Sequence, residues 1–200
     1  ARSAELLRNQ VDRFDLLLSD LLEMSKIDAG ASPLESAPVD LATVTETILR
    51  DNEEIAAEHS TQFKFASSGD TTVTADKRRV SRIIRNLVVN AIEHCDGTNV
   101  EVEILGNESC VSMSIRDHGQ GIAVEDLSRV FGRFWRADPA RQRTLGGTGL
   151  GLSISAEDAA LHGGIIDVWG APNQGAQFVL TLPRLELGAI SNVAILAGAP

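Results

Sequence analysis

The sequence predicts an α+β fold. A two-layer α/β sandwich, with a mixed, largely antiparallel sheet and helices on one face, follows one long helix of coiled-coil type. Three observations carry this. Leu7, Val11, Phe14, Leu18 and Leu21 succeed one another in steps of four and three, the seam of a coiled coil or antiparallel bundle. Behind Asp76, a natural N-cap, Val80, Ile83, Ile84, Leu87, Val88 and Ala91 fall at helical spacing. The late alternating runs at 99–105, 110–117, 164–170 and 176–183 are neighbours in sequence, which favours hairpins over a doubly wound parallel sheet.

Taken in order, the first helix carries the seam, widened by Leu17 and Leu22. It ends at "DAGASP" (28–33), with Gly30 as cap and Pro33 just beyond. Such a seam requires a partner helix. Residues 31–39 read as a linker, and residues 40–184 as one α/β unit. Asp40 caps a helix bearing Leu41, Val44, Ile48 and Ile55, and two short strands follow at 61–67 and 71–75. After the apolar helix come the runs 99–105 and 110–117, the second with Val111, Met113 and Ile115 on one face. A short helix near 124–130 leads into a polar stretch at 132–145. The last helix runs from the glycine segment to about Leu161, and a hairpin across the Pro172–Gly175 turn closes the sheet. Residues 185–200 form a tail.

Composition narrows the function. The net charge is -10, which disfavours nucleic acid and anionic membrane as partners. An acidic chain that holds an anion must do so locally, with backbone N–H groups, a metal or a few placed arginines. The two cysteines, Cys95 and Cys110, lack metal-type spacing and read as buried thiols of a reducing compartment. No apolar run reaches the roughly 20 residues of a membrane helix. The chain opens inside a helical pattern, so any membrane anchor is expected upstream of residue 1.

Residues 146–154, "GGTGLGLSI", place four glycines where a helix begins. They match neither the Walker loop, which needs a lysine, nor the dinucleotide fingerprint, which follows a strand. A phosphate cradle, close backbone packing and a hinge all remain open. Three other stretches bear on the choice. In "NLVVNAIEH" (86–94), Asn86 and Asn90 sit one turn apart, as oxygen ligands for a hard cation or as a solvated polar face. In "RDHGQGI" (116–122), an acid at a strand end precedes two glycines that let a flat ring approach, or the segment is a plain turn. In "FGRFWRAD" (131–138), three of the chain's eight aromatics are interleaved with Arg133 and Arg136. Packing explains the aromatics and leaves the arginines unexplained.

In this order and at these separations, the four stretches resemble the N, G1, F and G2 boxes of sensor histidine kinases, within the GHKL ATPase superfamily. The resemblance runs from "RFDLLLSDLLEMSKIDAG" (13–30), similar to the second helix of the dimerisation and phosphotransfer hairpin, to about residue 184. Within the family, 131–164 is most similar to actinobacterial members. The resemblance implies a Bergerat-type ATP-binding fold and a cytoplasmic catalytic portion that takes ATP and Mg2+. Asn90 matches the Mg2+ ligand, and Asn86 lies beside the phosphates. Asp117 matches the acid that holds the adenine amine, framed by Gly119 and Gly121. Arg136 matches an arginine near the polyphosphate. Residues 132–147 match the ATP lid, and Gly147, Thr148, Gly149, Leu150 and Gly151 its hinge and phosphate-facing end. Phe131 and Phe134 are expected to anchor the lid.

The implied chemistry is phosphoryl transfer to a histidine of the hairpin, for relay to a response regulator, by a protein that is homodimeric through its first helix. That histidine is expected upstream of residue 1. His59, His94, His118 and His162 do not sit where it belongs, although His94 and His118 are placed to line a nucleotide pocket. Two departures stand out: Glu93, where relatives often carry a base, and Ala176, where a hydroxyl residue is common. Two other readings stay open. One is an ATPase of another GHKL branch using Glu93 or Glu101 as catalytic acid; the other is a dimerisation module with a degenerate nucleotide site.

Overall fold

The computed structural model describes residues 11, 14, 17–25, 33–136 and 148–184. Residues 17–25 are helical and form α1. Then follow β1 (Ser36–Asp40), α2 (Leu41–Asp51), α3 (Glu53–Glu58), β2 (Phe63–Ser68), β3 (Thr72–Asp76) and α4 (Lys77–His94). After these come β4 (Val100–Gly106), β5 (Cys110–Arg116), α5 (Gly151–Leu161), β6 (Ile165–Gly170) and β7 (Ala176–Pro183). The principal sheet has the order β2-β4-β5-β7-β6. Only its β2–β4 pair is parallel, so the sheet is mixed and largely antiparallel, as the sequence predicts.

Three expectations need correction. The linker assigned to 31–39 is shorter, because Ser36–Asp40 pair antiparallel with β3 as a separate two-stranded sheet. The strand read at 71–75 therefore stands outside the main sheet. The single helix read across Leu41–Ile55 breaks at Asn52, whose side-chain amide donates to Ile48 O and whose N–H bends back to Leu49 O. The stretch read as a short helix near 124–130 is one 3-10 turn, Val124–Asp126, continued by i to i+3 turns. Gly30, Gly147 and the tail 185–200 lie outside the described residues.

α4 organises the rest. The Asp76 carboxylate accepts the N–H groups of Arg78 at 3.0 Å and Arg79 at 3.2 Å, capping a helix that otherwise opens with unpaired donors. Val80, Ile83, Ile84, Leu87, Val88, Ala91 and Ile92 form its buried stripe. They pack with Val102 and Ile104 of β4, Met113 and Ile115 of β5, and Phe178 and Leu180 of β7 in one core. Side chains alternate across a strand. Odd-numbered β5 residues thus face the helices, while Ser114 and Arg116 face a groove on the far side of the sheet.

α5 is fastened to α4 by a buried ion pair. Asp158 is 0% exposed and accepts from Arg79 Nη1 at 2.8 Å, Arg82 Nε at 2.9 Å and Arg82 Nη2 at 3.0 Å. Removing one partner from so buried a pair leaves a charge without compensation, so the pair fixes where α5 begins relative to α4.

Candidate functional site

The phase of β5 that buries Val111, Met113 and Ile115 continues to Asp117, which is only 2% exposed. Its Oδ1 accepts Gly119 N–H at 3.0 Å, and its own N–H bonds Ala176 O at 2.9 Å. Burial pushes this carboxyl above its ordinary range, against the lowering by the Gly119 and Ala176 hydrogen bonds. A buried acid whose second oxygen is not spent on Gly119 is suited to accept from an incoming donor.

The chain after Asp117 threads between α4 and the β6–β7 turn. Gly175 N–H bonds Gly119 O at 3.0 Å, and Asn173 N–H bonds Gln120 O at 2.7 Å. A Cβ at Gly119 would stand 1.6 Å from His94 O, and one at Gly121, where φ is 72°, would stand 1.8 Å from Ala171 O. The expected flat ring is not what forces these glycines. The protein's own backbone already occupies the space beside them: Gly119 lets the Asp117 turn lie against the end of α4, and Gly121 lets it lie against the β6–β7 turn.

From Asn86 to His94, α4 spans about 12 Å, with Asn90 roughly midway. At one end, Asn86 Nδ2 donates to Gly151 O at 3.0 Å and to Ser155 Oγ at 3.1 Å, tying α4 to the first turn of α5. Its NH2 thus positions that turn, while its carbonyl oxygen, the atom a cation would use, makes no hydrogen bond among the described residues. Asn90 is half-buried, and among the described residues its amide makes no hydrogen bond. At the far end, His94 Nδ1 lies 2.7 Å from Gln120 Nε2, beside the Asp117 turn. Glu93 is half-buried one turn beyond Asn90.

α5 begins without a capping side chain, its N-cap position being filled by Leu150. Its first-turn N–H groups are the kind of donor that anions use, and Gly149 and Gly151 flank Leu150 at this mouth. Thr148 Oγ1 accepts Leu150 N–H at 3.2 Å. Phe134 N–H bonds Gly149 O at 3.0 Å, so the two ends of the segment between them are pinned together. Phe131 packs edge-on against Phe178, with centroids 6.3 Å apart. Phe134 is 57% exposed, so its anchoring is by backbone and not by the ring. Arg136 follows two residues after this pin. One line along α4 thus carries a buried carboxylate, a half-buried amide and an uncapped helix mouth.

Residues 75–186 match the family described as histidine kinase-, DNA gyrase B-, and HSP90-like ATPase. The chain belongs to this ATPase family. It is 44% identical over 186 residues to the sensor histidine kinase MtrB of Mycobacterium tuberculosis, covering 92% of this chain and 33% of MtrB. It is 32% identical over 185 residues to the sensor-like histidine kinase SenX3 of the same organism, covering 92% of this chain and 45% of SenX3. The chain spans about a third of the length of MtrB. Full-length ShkA, solved in complex with AMPPNP, superposes with a TM-score of 0.80 at 28% identity, covering 93% of this chain and 40% of that one. The sequence resemblance to sensor histidine kinases, and to the MtrB type within them, agrees with these matches.

Within the ATPase domain the remaining candidates separate cleanly. Glu101 lies on the far face of the sheet, 3.1 Å from Lys64 Nζ and 3.5 Å from His118 Nε2, with the whole sheet between it and α4. This removes both Glu101 and His118 from the helix-side site. His162 is a staple: its Nε2 accepts Asp76 N–H at 3.0 Å, while Nδ1 lies 2.7 Å from Asp158 O. Both cysteines are buried, as expected. The residues that sequence reasoning missed are those that set the site from a distance. Asp158 and Arg79 place α5, and Asp20 reaches Thr148 from α1. A fully buried acid in "SAEDAA" (155–160) is visible only as a helix interruption in composition, and nothing in the local sequence announces the Asp20 contact.

Proposed function

We propose that the chain is the ATP-binding catalytic portion of a two-component sensor histidine kinase. It passes the γ-phosphoryl group of ATP to a histidine supplied from outside these 200 residues, for relay to a response regulator. The observation that carries the reading is the alignment along α4 of Asp117, Asn90 and the uncapped start of α5. In this reading Asp117 accepts from the adenine amine, with Gly119 keeping its turn tight against α4 and Gly121 against the β6–β7 turn. Asn90, whose amide carbonyl is uncommitted, holds Mg2+; the ion supplies charge compensation at the phosphate oxygens. The first-turn N–H groups of α5, with Thr148, Gly149, Leu150 and Gly151, take the phosphates. Arg136 and Gly147 stand near the polyphosphate by resemblance. Asn86 positions the start of α5 through its NH2 and keeps its carbonyl oxygen beside the phosphates.

The described histidines support a phosphoacceptor from elsewhere: none lies on α1, and His162 is engaged at both nitrogens. The exposed seam of Val11, Phe14, Leu18, Leu21 and Leu22 supports pairing with a second copy of this helix. Among the described residues no helix is long and apolar enough to cross a membrane. The resemblance to sensor kinases supports a cytoplasmic location, with any membrane anchor in other segments. The reading is tested by incubating the chain with radiolabelled Mg-ATP and a separately made two-helix hairpin bearing the histidine. Acid-labile phosphate should appear on the hairpin and not on the chain alone. Steady ATP hydrolysis with no label on the hairpin would instead favour another branch of the ATPase family.

A further inference from the structure

One face of α1 is docked on the start of α5. Thr148 Oγ1 donates to Asp20 Oδ2 at 2.6 Å, and the same hydroxyl oxygen accepts Leu150 N–H. Met24 is buried in a small core of its own with Leu150 and Ile154. Glu23 Oε2 lies 2.9 Å from Arg82 Nη1, the arginine that also holds Asp158. Residues 20, 23 and 24 share one side of a helix by their spacing, so these contacts form a single docking face. Phe14, Leu18, Leu21 and Leu22 remain exposed, so docking leaves the apolar seam unspent.

Asp20 therefore brings a carboxylate to the mouth of a helix whose first turn has no capping side chain. It takes the Thr148 hydroxyl hydrogen, which a phosphate oxygen arriving at the same mouth would also seek. The hydroxyl has one hydrogen to give. Two anions within a few ångströms also repel each other. We propose that docked α1 is an intramolecular competitor of the nucleotide phosphates. Asp20 occupies Thr148 at the start of α5, and phosphate binding there releases α1. This rests on reading residues 148–151 as the phosphate end of the nucleotide site. By linkage, whatever factor docking costs in ATP affinity, ATP costs in docking.

The test uses the 200-residue chain and its Asp20→Asn and Glu23→Gln variants, titrated with Mg-ATP and with adenosine as a phosphate-free probe. Asp20→Asn keeps the shape and removes the charge. It should tighten ATP about fivefold or more while leaving adenosine unchanged. Glu23→Gln, which loosens docking without touching Thr148, should shift ATP affinity in the same direction. Hydrogen exchange at residues 17–25 of the parent should quicken on saturation with Mg-ATP and stay constant with adenosine. Unchanged ATP affinity in Asp20→Asn, or exchange in α1 that ATP does not alter, overturns the competition. An equal change for ATP and adenosine overturns it too, since the effect would then not act through phosphate. Failure of the parent to bind either probe would instead remove the nucleotide reading, and the competition with it.

Discussion

Replacing Asp117 by asparagine separates binding from stability. The Asp117 carboxylate has two acceptor oxygens, one of them taken by Gly119 N–H at 3.0 Å. Asparagine has one acceptor and one NH2. If its carbonyl keeps Gly119, its NH2 meets the adenine amine donor against donor; if it turns round, Gly119 N–H is left unpaired. A hydrogen bond to a charged group contributes about 1.5–3 kcal/mol, so Asp117→Asn should weaken ATP roughly 10- to 150-fold. Stability should move the other way. Burial raises the folded carboxyl above its unfolded value, so its ionised form costs stability at pH above the folded value. That cost disappears as pH falls through the folded value. Asp117→Asn removes the ionisation and should melt at or above the parent temperature at pH 7, with the difference shrinking in acid. Isothermal titration with ATP, alongside thermal unfolding at pH 7 and pH 4, reads both. A folded variant that binds ATP within twofold of the parent would refute the placing of Asp117 on the base.

Gly119→Ala puts a Cβ 1.6 Å from the His94 carbonyl oxygen, a backbone atom that cannot swing aside. Overpacking of this kind should cost about 1–3 kcal/mol, or about 2–12 °C in melting temperature, and an unchanged melt would show that the turn is looser than described. Asp40 caps α2, and hydrogen bonds from Thr43 and then Thr71 hold its carboxyl below the ordinary value of 3.8. Its contribution is present above 3.8 and is lost as pH falls through the lower folded value. Asp40→Ala should therefore cost about 1 kcal/mol at pH 7 and less in acid, and equal losses in urea melts at pH 7 and pH 2.5 would contradict this.

Much of the fold is legible because it is periodic. The stripe from Val80 to Ile92 needs a helix, Asp76 marks its start, and the alternation of β5 places Asp117 on the helix side before any coordinates are known. β1 escapes because a short run holding Pro38 and Ala37 has no apolar alternation, and it becomes a strand only by pairing with β3. The break at Asn52 is hidden because the apolar spacing carries through it to Ile55. At the site, residue types are legible and their partners are not. Asn86 reads like Asn90, yet its NH2 also ties α4 to Gly151 and Ser155. Gly119 and Gly121 read as room for a base, yet they face backbone. The Asp20–Thr148 hydrogen bond spans 128 residues and has no local signature.

The most direct test of the account is a calorimetric titration of ATP into the chain, with Mg2+ and with chelator, repeated on Asn90→Ala. Saturable binding that Mg2+ tightens in the parent, with that Mg2+ increment lost in Asn90→Ala, is the predicted result. ATP binding whose Mg2+ increment survives intact in Asn90→Ala would contradict it.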